Sequence, residues 1–410
     1  MKFEEYAIAD EVKKGLALLG FRRPTDIQYK AIPSILKGED VLAIAHTGTG
    51  KTGAFAIPIL HILHTRKRPG RPDGIKCVVM APTHELALQI AGVFQAIGKF
   101  TDVKTYCIIG GVEQDPQIRQ LEKGIDVLVA TPGRLFDLRS QGYLRLDRME
   151  VLVVDEADHM LDLGFLKDIQ DLVGYLPKRR QTLFFSATIN ERIKKLAYSL
   201  VVNPIRIQLS PKNPVAKTIT HSVAFVQMDD KRFFLERLVS EHPGVKILVF
   251  ARTKVRVERV RKALERVQIE SETIHGDKTQ QERQSAMDRF KQGAVHVLIA
   301  TDVSARGIDI PNVDYVVNYD LPDKAENYVH RIGRTGRGNQ RGNAVTFCSP
   351  EEKPVLTEIE AYLGQPIHVL EINKRDYQYT LDFTRDTDND WQSLIEQAET
   401  ATKRRKKKKS

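Results

Sequence analysis

At 410 residues, 41% of them hydrophobic and 28% charged, the chain exceeds what one core serves and is ordinary in composition, which predicts two soluble globular domains plus tails. No apolar stretch approaches the ~18 residues of a membrane span, and Met1 to Asp10 lacks the apolar core of a secretory signal. Cys77, Cys107 and Cys348 are too scattered for a disulfide frame or zinc site, so a cytoplasmic protein with buried thiols and no membrane contact is expected. The net charge of +10 favours a polyanionic partner, but the unbroken basic run Lys403 to Lys409 carries most of it.

In chain order, the amphipathic stretch Asp10 to Leu19 predicts a helix, and Pro24-Thr25 marks the entry to a second. Gln28 reads as a solvated helix residue or as a base reader, since its amide both donates and accepts, as adenine requires. Phe21 could stack on the base. The apolar run Val41 to Ile44 leads directly into AHTGTGKT at 45–52. A strand, a loop with Gly48, Thr49 and Gly50, then Lys51-Thr52 opening a helix make a P-loop. Its backbone N–H groups and helix N-terminus suit phosphate, Lys51 can reach the β and γ phosphates, and Thr52 would hold Mg2+. Ala45 stands where the strict signature has glycine, so it must enter the turn without positive φ.

Further apolar runs are Cys77 to Ala81, Tyr106 to Ile109, Val127 to Ala130, Val151 to Val154 and Thr182 to Phe185, separated by helical patterns. That alternation predicts a parallel sheet with both faces covered and its ligand edge beyond the strand C-termini. The residues following those ends are Pro82-Thr83-His84-Glu85, Gly110-Gly111, Thr131-Pro132-Gly133-Arg134, Asp155-Glu156-Ala157-Asp158 and Ser186-Ala187-Thr188. An acidic turn after a strand is often a solvated cap. Behind a P-loop, however, Asp155 suits the metal and Glu156 the attacking water.

Two prolines in 209–218 mark a linker. A second α/β series follows, with runs at Ser222 to Phe225, Ile247 to Phe250, Val297 to Ala300, Tyr315 to Asn318 and Ala344 to Phe347, and no P-loop. Its strand-end segments include Arg252-Thr253, His275-Gly276-Asp277, Thr301 to Asp309 and His330 to Arg337. Arg331, Arg334 and Arg337, spaced by three, would share a face if helical. Gly333 and Gly336 disfavour that, and guanidinium groups presented to a γ-phosphate are the sharper reading.

Gly20-Phe21 to Gln28, AHTGTGKT, PTHELA, GG, TPGR, DEAD, SAT, TDVSARGIDI and HRIGRTGR occur in the order found in DEAD-box RNA helicases, and the resemblance covers residues 3 to about 372. It implies two tandem RecA-like domains, 1–208 and 219–375, joined by the linker 209–218 and followed by a flexible basic tail at 376–410. It also implies an RNA-stimulated ATP hydrolase that uses ATP and Mg2+ and locally separates short RNA duplexes or remodels RNA–protein complexes. The short body and basic tail look most like the bacterial RhlE-like subgroup.

By resemblance, Phe21, Gln28, Gly48, Thr49, Gly50, Lys51 and Thr52 hold the nucleotide, with Phe3 supporting the segment, and Asp309 contacts ribose. Asp155 and Thr52 hold the metal, Glu156 activates water, and Arg334 and Arg337 match arginine fingers. Asp158, Ser186 and Thr188 couple hydrolysis to strand separation. Pro82, Thr83, Gly111, Thr131, Arg134, Thr253, Gln280, Arg283 and Thr301 would grip the backbone of single-stranded or short duplex RNA. The chain departs from the family at His84, where arginine is usual, and at His46, where Gln, Glu or Ser is common.

A monomer is expected, with a ribosomal particle or the RNA-degradation machinery as possible partners. An ATP-switched RNA clamp and a DNA translocase are the rival readings. The run Lys403 to Lys409 is either a solubilising end or an electrostatic tether for RNA, and Trp391 lies in a short helix-like stretch before it.

Overall fold

The computed structural model describes residues 2–46, 48–67, 74–209, 215, 218–305, 313–336 and 341–385. Described residues up to Leu209 form one unit, and 215, 218–304 and 313–385 form a second. The first carries β1 (Val41–Ala45), β2 (Cys77–Met80), β3 (Thr105–Ile108), β4 (Val127–Ala130), β5 (Val151–Val154), β6 (Gln181–Ser186) and β7 (Ile205–Leu209). They lie in the order β3-β4-β2-β5-β6-β1-β7, parallel throughout.

The second carries β8 (Ile219–Phe225), β9 (Ile247–Phe250), β10 (Ser271–Ile274), β11 (Val297–Ala300), β12 (Tyr315–Asn318), β13 (Gly342–Cys348) and β14 (His368–Val369). Their order, β10-β11-β9-β12-β13-β8-β14, is again all parallel. Position for position the two sheets repeat one topology, that of tandem RecA-like domains. β3 therefore corresponds to β10, β2 to β9 and β4 to β11.

β1, β2, β4 and β5 are continuous apolar runs buried at every residue, as strands covered on both faces must be. Successive side chains point to opposite faces, so Phe184 and Phe185 enter different cores of the first unit. Phe185 meets Phe55 at 5.2 Å between ring centres, and Phe55 in turn meets Phe94 at 6.0 Å. The helix of Phe55, Lys51–Arg66, is thus anchored to the sheet, which fixes the residues at its N-terminus.

Three strands lie outside the predicted runs. β7 is an edge strand burying only Ile207, β10 includes Ser271 and Glu272, and β14 has two residues. None makes a continuous apolar run.

The flexible tail expected from residue 376 does not begin there, because Lys374–Arg385 is helical. The Tyr377 hydroxyl donates to Asp230 at 2.7 Å, its ring lies 5.0 Å from Phe234, and buried Thr380 accepts from Arg237 at 2.7 Å. A stripe this polar is hidden in a charged segment. Trp391, the basic run, Asp309, Arg337 and most of the linker lie outside the described residues.

Cys77 and Cys348 are buried and Cys107 is half-buried. Burial pushes the thiol of Cys107 up to about 12 and that of Cys348 up to about 11. No helix among the described residues is long and apolar enough to cross a membrane.

Gly15 sets how closely the helix Asp10–Leu18 packs on His84–Ile97, since a Cβ there would stand 2.0 Å from the Ile97 carbonyl oxygen. Helix propensity alone would have Gly15→Ala stabilise by ~1 kcal/mol. Overpacking against backbone costs about 1–3 kcal/mol and prevails. The substitution is therefore expected to lower the urea midpoint of unfolding at constant slope.

Candidate active site

β1 delivers the chain to its phosphate loop. Ala45 remains in the strand and keeps negative φ, while Gly48 and Gly50 take the left-handed conformation at φ 82° and 89°. Gly50 caps Lys51–Arg66, and the Thr49 hydroxyl donates to the His46 carbonyl at 2.8 Å, tightening the turn. Glycine is needed at 50 on spatial grounds too, because a Cβ would meet Gln28 Nε2 at 2.7 Å.

The Gln28 amide is already engaged. Its Oε1 accepts from the Thr25 N–H at 3.0 Å, completing a capping box, and its Nε2 donates to the Gly50 carbonyl at 3.0 Å. The residue expected to read adenine also ties its own helix to the phosphate loop. One amide hydrogen and one lone pair are left by these two bonds, so the two roles are compatible. Phe21 is half exposed. Phe3 is buried against Tyr6 and donates its N–H to the Arg22 carbonyl at 3.2 Å, bracing the segment.

Lys51 is 6% exposed, and its ammonium has no hydrogen-bond partner among the described residues. A buried cation in that condition is costly, and a bound phosphate would satisfy it. Asp155 is 2% exposed and accepts the Glu156 N–H at 2.9 Å. Burial pushes its carboxyl up to about 6, against the pull of the Lys51 charge.

A divalent cation would favour the ionised form. No group of three potential ligands that could hold a metal occurs among the described residues. The buried carboxylate of Asp155 is the donor type that Mg2+ takes, one or two carboxylates being completed by phosphate and water.

Glu156 sits at φ 49°, ψ 50°, a strained left-handed conformation for a non-glycine residue that opens the helix Ala157–Asp162. Asp158 Oδ2 accepts the N–H groups of Ala187 and Thr188, both at 3.1 Å, and the Thr188 hydroxyl at 3.3 Å. Ser186 donates to the Thr188 carbonyl at 2.8 Å. The ends of β5 and β6 are thereby joined. Burial pushes His46 below its ordinary value, Lys51 adds to this, and Asp158 opposes it.

The other strand ends of this unit hold the residues expected at RNA. Thr83 caps His84–Ile97 by accepting from the Leu86 N–H at 3.3 Å, with Pro82 just ahead. Gly111 takes φ 68°, and Arg134, two residues after Pro132 opens its helix, donates to the Val112 carbonyl at 3.0 Å. The structure thus brings Gly111 and Arg134 together. Thr131 follows β4, its N–H donating to the Ile108 carbonyl at 3.4 Å.

The second unit repeats the pattern. Thr253 caps Lys254–Arg266 as Thr83 does its helix, and Thr301 follows β11 as Thr131 follows β4, its hydroxyl donating to Ser304 at 3.2 Å. Gln280 opens Gln280–Gln292, the helix that also carries Arg283.

Glu258, which sequence reasoning misses, holds Thr273 in β10 at 2.8 Å and His275 just after it at 2.9 Å. Partial burial works against its charge, yet hydrogen bonds from His275, Thr273 and Arg261 hold the carboxyl at about 2.

Arg331 departs from expectation. The helix Ala325–Ile332 ends before Arg334, so Arg331 and Arg334 do not share a helical face. Arg331 is buried and pairs with both oxygens of Asp302, at 2.5 and 2.7 Å, while Nη1 donates to the Asp320 carbonyl at 2.6 Å. It is a strut within the unit, not a group presented to phosphate. Arg334 Nε donates to the His330 carbonyl at 3.3 Å.

Comparison with known proteins decides the family. A model described as DEAD/DEAH box helicase matches residues 25–196, and one described as helicase conserved C-terminal domain matches 230–339. The DEAD-box ATP-dependent RNA helicase RhpA of Helicobacter pylori is 39% identical over 370 residues, covering 90% of this chain and 74% of its own. The chain belongs to the DEAD-box RNA helicase family.

Among other relatives of this DEAD-box helicase, the ATP-dependent rRNA helicase RRP3 of Yarrowia lipolytica is 38% identical over 366 residues, covering 89% of this chain and 75% of its own. A solved structure of S. cerevisiae Dbp5 bound to RNA and ADP BeF3 superimposes with a TM-score of 0.82 at 31% identity, covering 94% of this chain and 99% of that one.

Proposed function

We propose that this ATP-dependent RNA helicase hydrolyses ATP in an RNA-stimulated cycle that separates short duplexes or remodels RNA–protein complexes, with the following division of labour. Lys51 and the backbone of Gly48, Thr49 and Gly50 bind the phosphates, while Phe21 and Gln28 orient the base and Asp309 the ribose. Glu156 takes a proton from the attacking water as the γ-phosphorus bond to the leaving oxygen breaks, giving ADP and phosphate. Thr52 and Asp155 would hold Mg2+, which would supply charge neutralisation on the phosphate oxygens. Arg334 and Arg337, from the second half of the chain, neutralise charge developing on the γ-phosphoryl group.

Asp158, Ser186 and Thr188 relay the state of the acidic turn to the neighbouring strand end. RNA is gripped through phosphates and sugars by Pro82, Thr83, Gly111, Thr131, Arg134, Thr253, Gln280, Arg283 and Thr301, which gives little sequence preference. The observation that carries the nucleotide part is the buried ammonium of Lys51, without a hydrogen-bond partner among the described residues and electrostatically coupled to the buried carboxyl of Asp155 behind two left-handed glycines.

The short body and basic tail support placement in the RhlE-like subgroup. We also propose a cytoplasmic monomer acting on a ribosomal particle or with the RNA-degradation machinery. The name of the RRP3 relative, an rRNA helicase, supports the former.

Steady-state ATPase assays with RNA and DNA oligonucleotides of one sequence test the whole. RNA is expected to raise turnover and DNA to fail, since only RNA offers 2′-hydroxyls. Equal stimulation, or none, refutes the proposal.

A further inference from the structure

Gln117 stands outside every motif above, yet all its side-chain hydrogen bonds go to residues that flank one of them. It lies in the helix Asp115–Glu122 and is 4% exposed. Its Oε1 accepts the Ile109 N–H at 3.0 Å, and its Nε2 donates to the Ile109 carbonyl at 3.2 Å and the Glu113 carbonyl at 3.1 Å. One amide thus pins both ends of the five-residue loop whose apex is Gly110-Gly111. Arg134 pins a third point at the Val112 carbonyl.

Burying a primary amide is unfavourable unless its donors and acceptor are paired, and here the pairing is wholly with the backbone of this turn. A loop with two adjacent glycines is otherwise among the most conformationally free segments a chain can have. Gly111 at φ 68° shows that one particular, sterically restricted shape is held.

We infer that Gln117 is a positioning residue that sets the Gly110-Gly111 loop in its RNA-binding shape before RNA arrives, so that binding does not have to order it. The inference rests on the proposed reading of Gly111 as an RNA contact. Preorganisation of this kind acts on affinity, not on chemistry at saturation.

The test uses the full chain carrying Gln117→Met, which keeps side-chain length and removes all three bonds. The RNA concentration giving half-maximal ATPase is expected to rise about tenfold, the equivalent of one or two net hydrogen bonds. Turnover at saturating RNA should stay within twofold, and nucleotide affinity measured without RNA should be unaltered. Amide hydrogen exchange across 109–113 should accelerate in the variant.

An unchanged half-saturating RNA concentration overturns the inference, as does a parallel loss of ATP and RNA affinity, which marks a merely structural role. Should Gln117→Met fail to fold, Gln117→Asn, too short to span Ile109 and Glu113, carries the same expectations and the same refutations.

Gly111→Ala separates the two layers of the argument. If it leaves RNA affinity intact, the loop is not an RNA contact and the inference falls with that reading. If it weakens RNA while both Gln117 variants do not, only the positioning role is lost.

Discussion

Lys51→Ala is expected to lower ATP affinity by about a hundredfold or more and to abolish RNA-stimulated hydrolysis. Two charge-assisted hydrogen bonds to phosphate are lost, each worth about 1.5–3 kcal/mol, and every 1.4 kcal/mol is about tenfold. The ligand-free protein responds differently. Its Lys51 ammonium is buried and has no hydrogen-bond partner among the described residues, so the native fold without nucleotide gains little from it. The thermal midpoint of the variant without ATP should therefore not fall, while the upward shift that ATP gives the parent should vanish. A variant that still shifts with ATP would remove Lys51 from the phosphate site.

Glu156→Gln is expected to separate binding from chemistry. The amide has the size of the carboxyl and can keep polar contacts, so ATP and RNA should bind as before. It cannot take a proton from water, and loss of a general base lowers turnover by about 10²–10⁴-fold. Single-turnover phosphate release should collapse while RNA, in the presence of ATP, dissociates more slowly than from the parent. Glu156 holds φ at 49°, where glycine is at ease, so Glu156→Gly relieves the strain and removes the base together. If Glu156→Gly hydrolyses ATP faster than Glu156→Gln, strain and not proton transfer governs the step.

Much of this site is legible in the sequence because its signals are local. β1, β2, β4 and β5 are continuous apolar runs, Gly48 and Gly50 mark a loop needing positive φ, and Asp155 follows a buried strand directly.

Signals that depend on distant partners are not legible. The second task of Gln28 is a bond to Gly50, twenty-two residues along the chain, and Gln117 is one polar residue in an unremarkable amphipathic helix until its loop is seen folded over it. Arg331 has the same spacing as Arg334 and Arg337, and spacing cannot tell a guanidinium that meets phosphate from one that meets Asp302. β7, β10 and β14 fail the apolar-run criterion because an edge or polar strand needs neighbours, not composition, to form.

The high thiol ionisation points of Cys107 and Cys348 and the burial of Cys77 have a practical consequence, because thiolates and not thiols react with maleimide dyes. At neutral pH the native cysteines should label slowly. A fluorophore pair could then be attached through one engineered surface cysteine in each half without replacing any natural residue. Single-molecule energy transfer would follow the two halves through successive turnovers in otherwise unaltered protein.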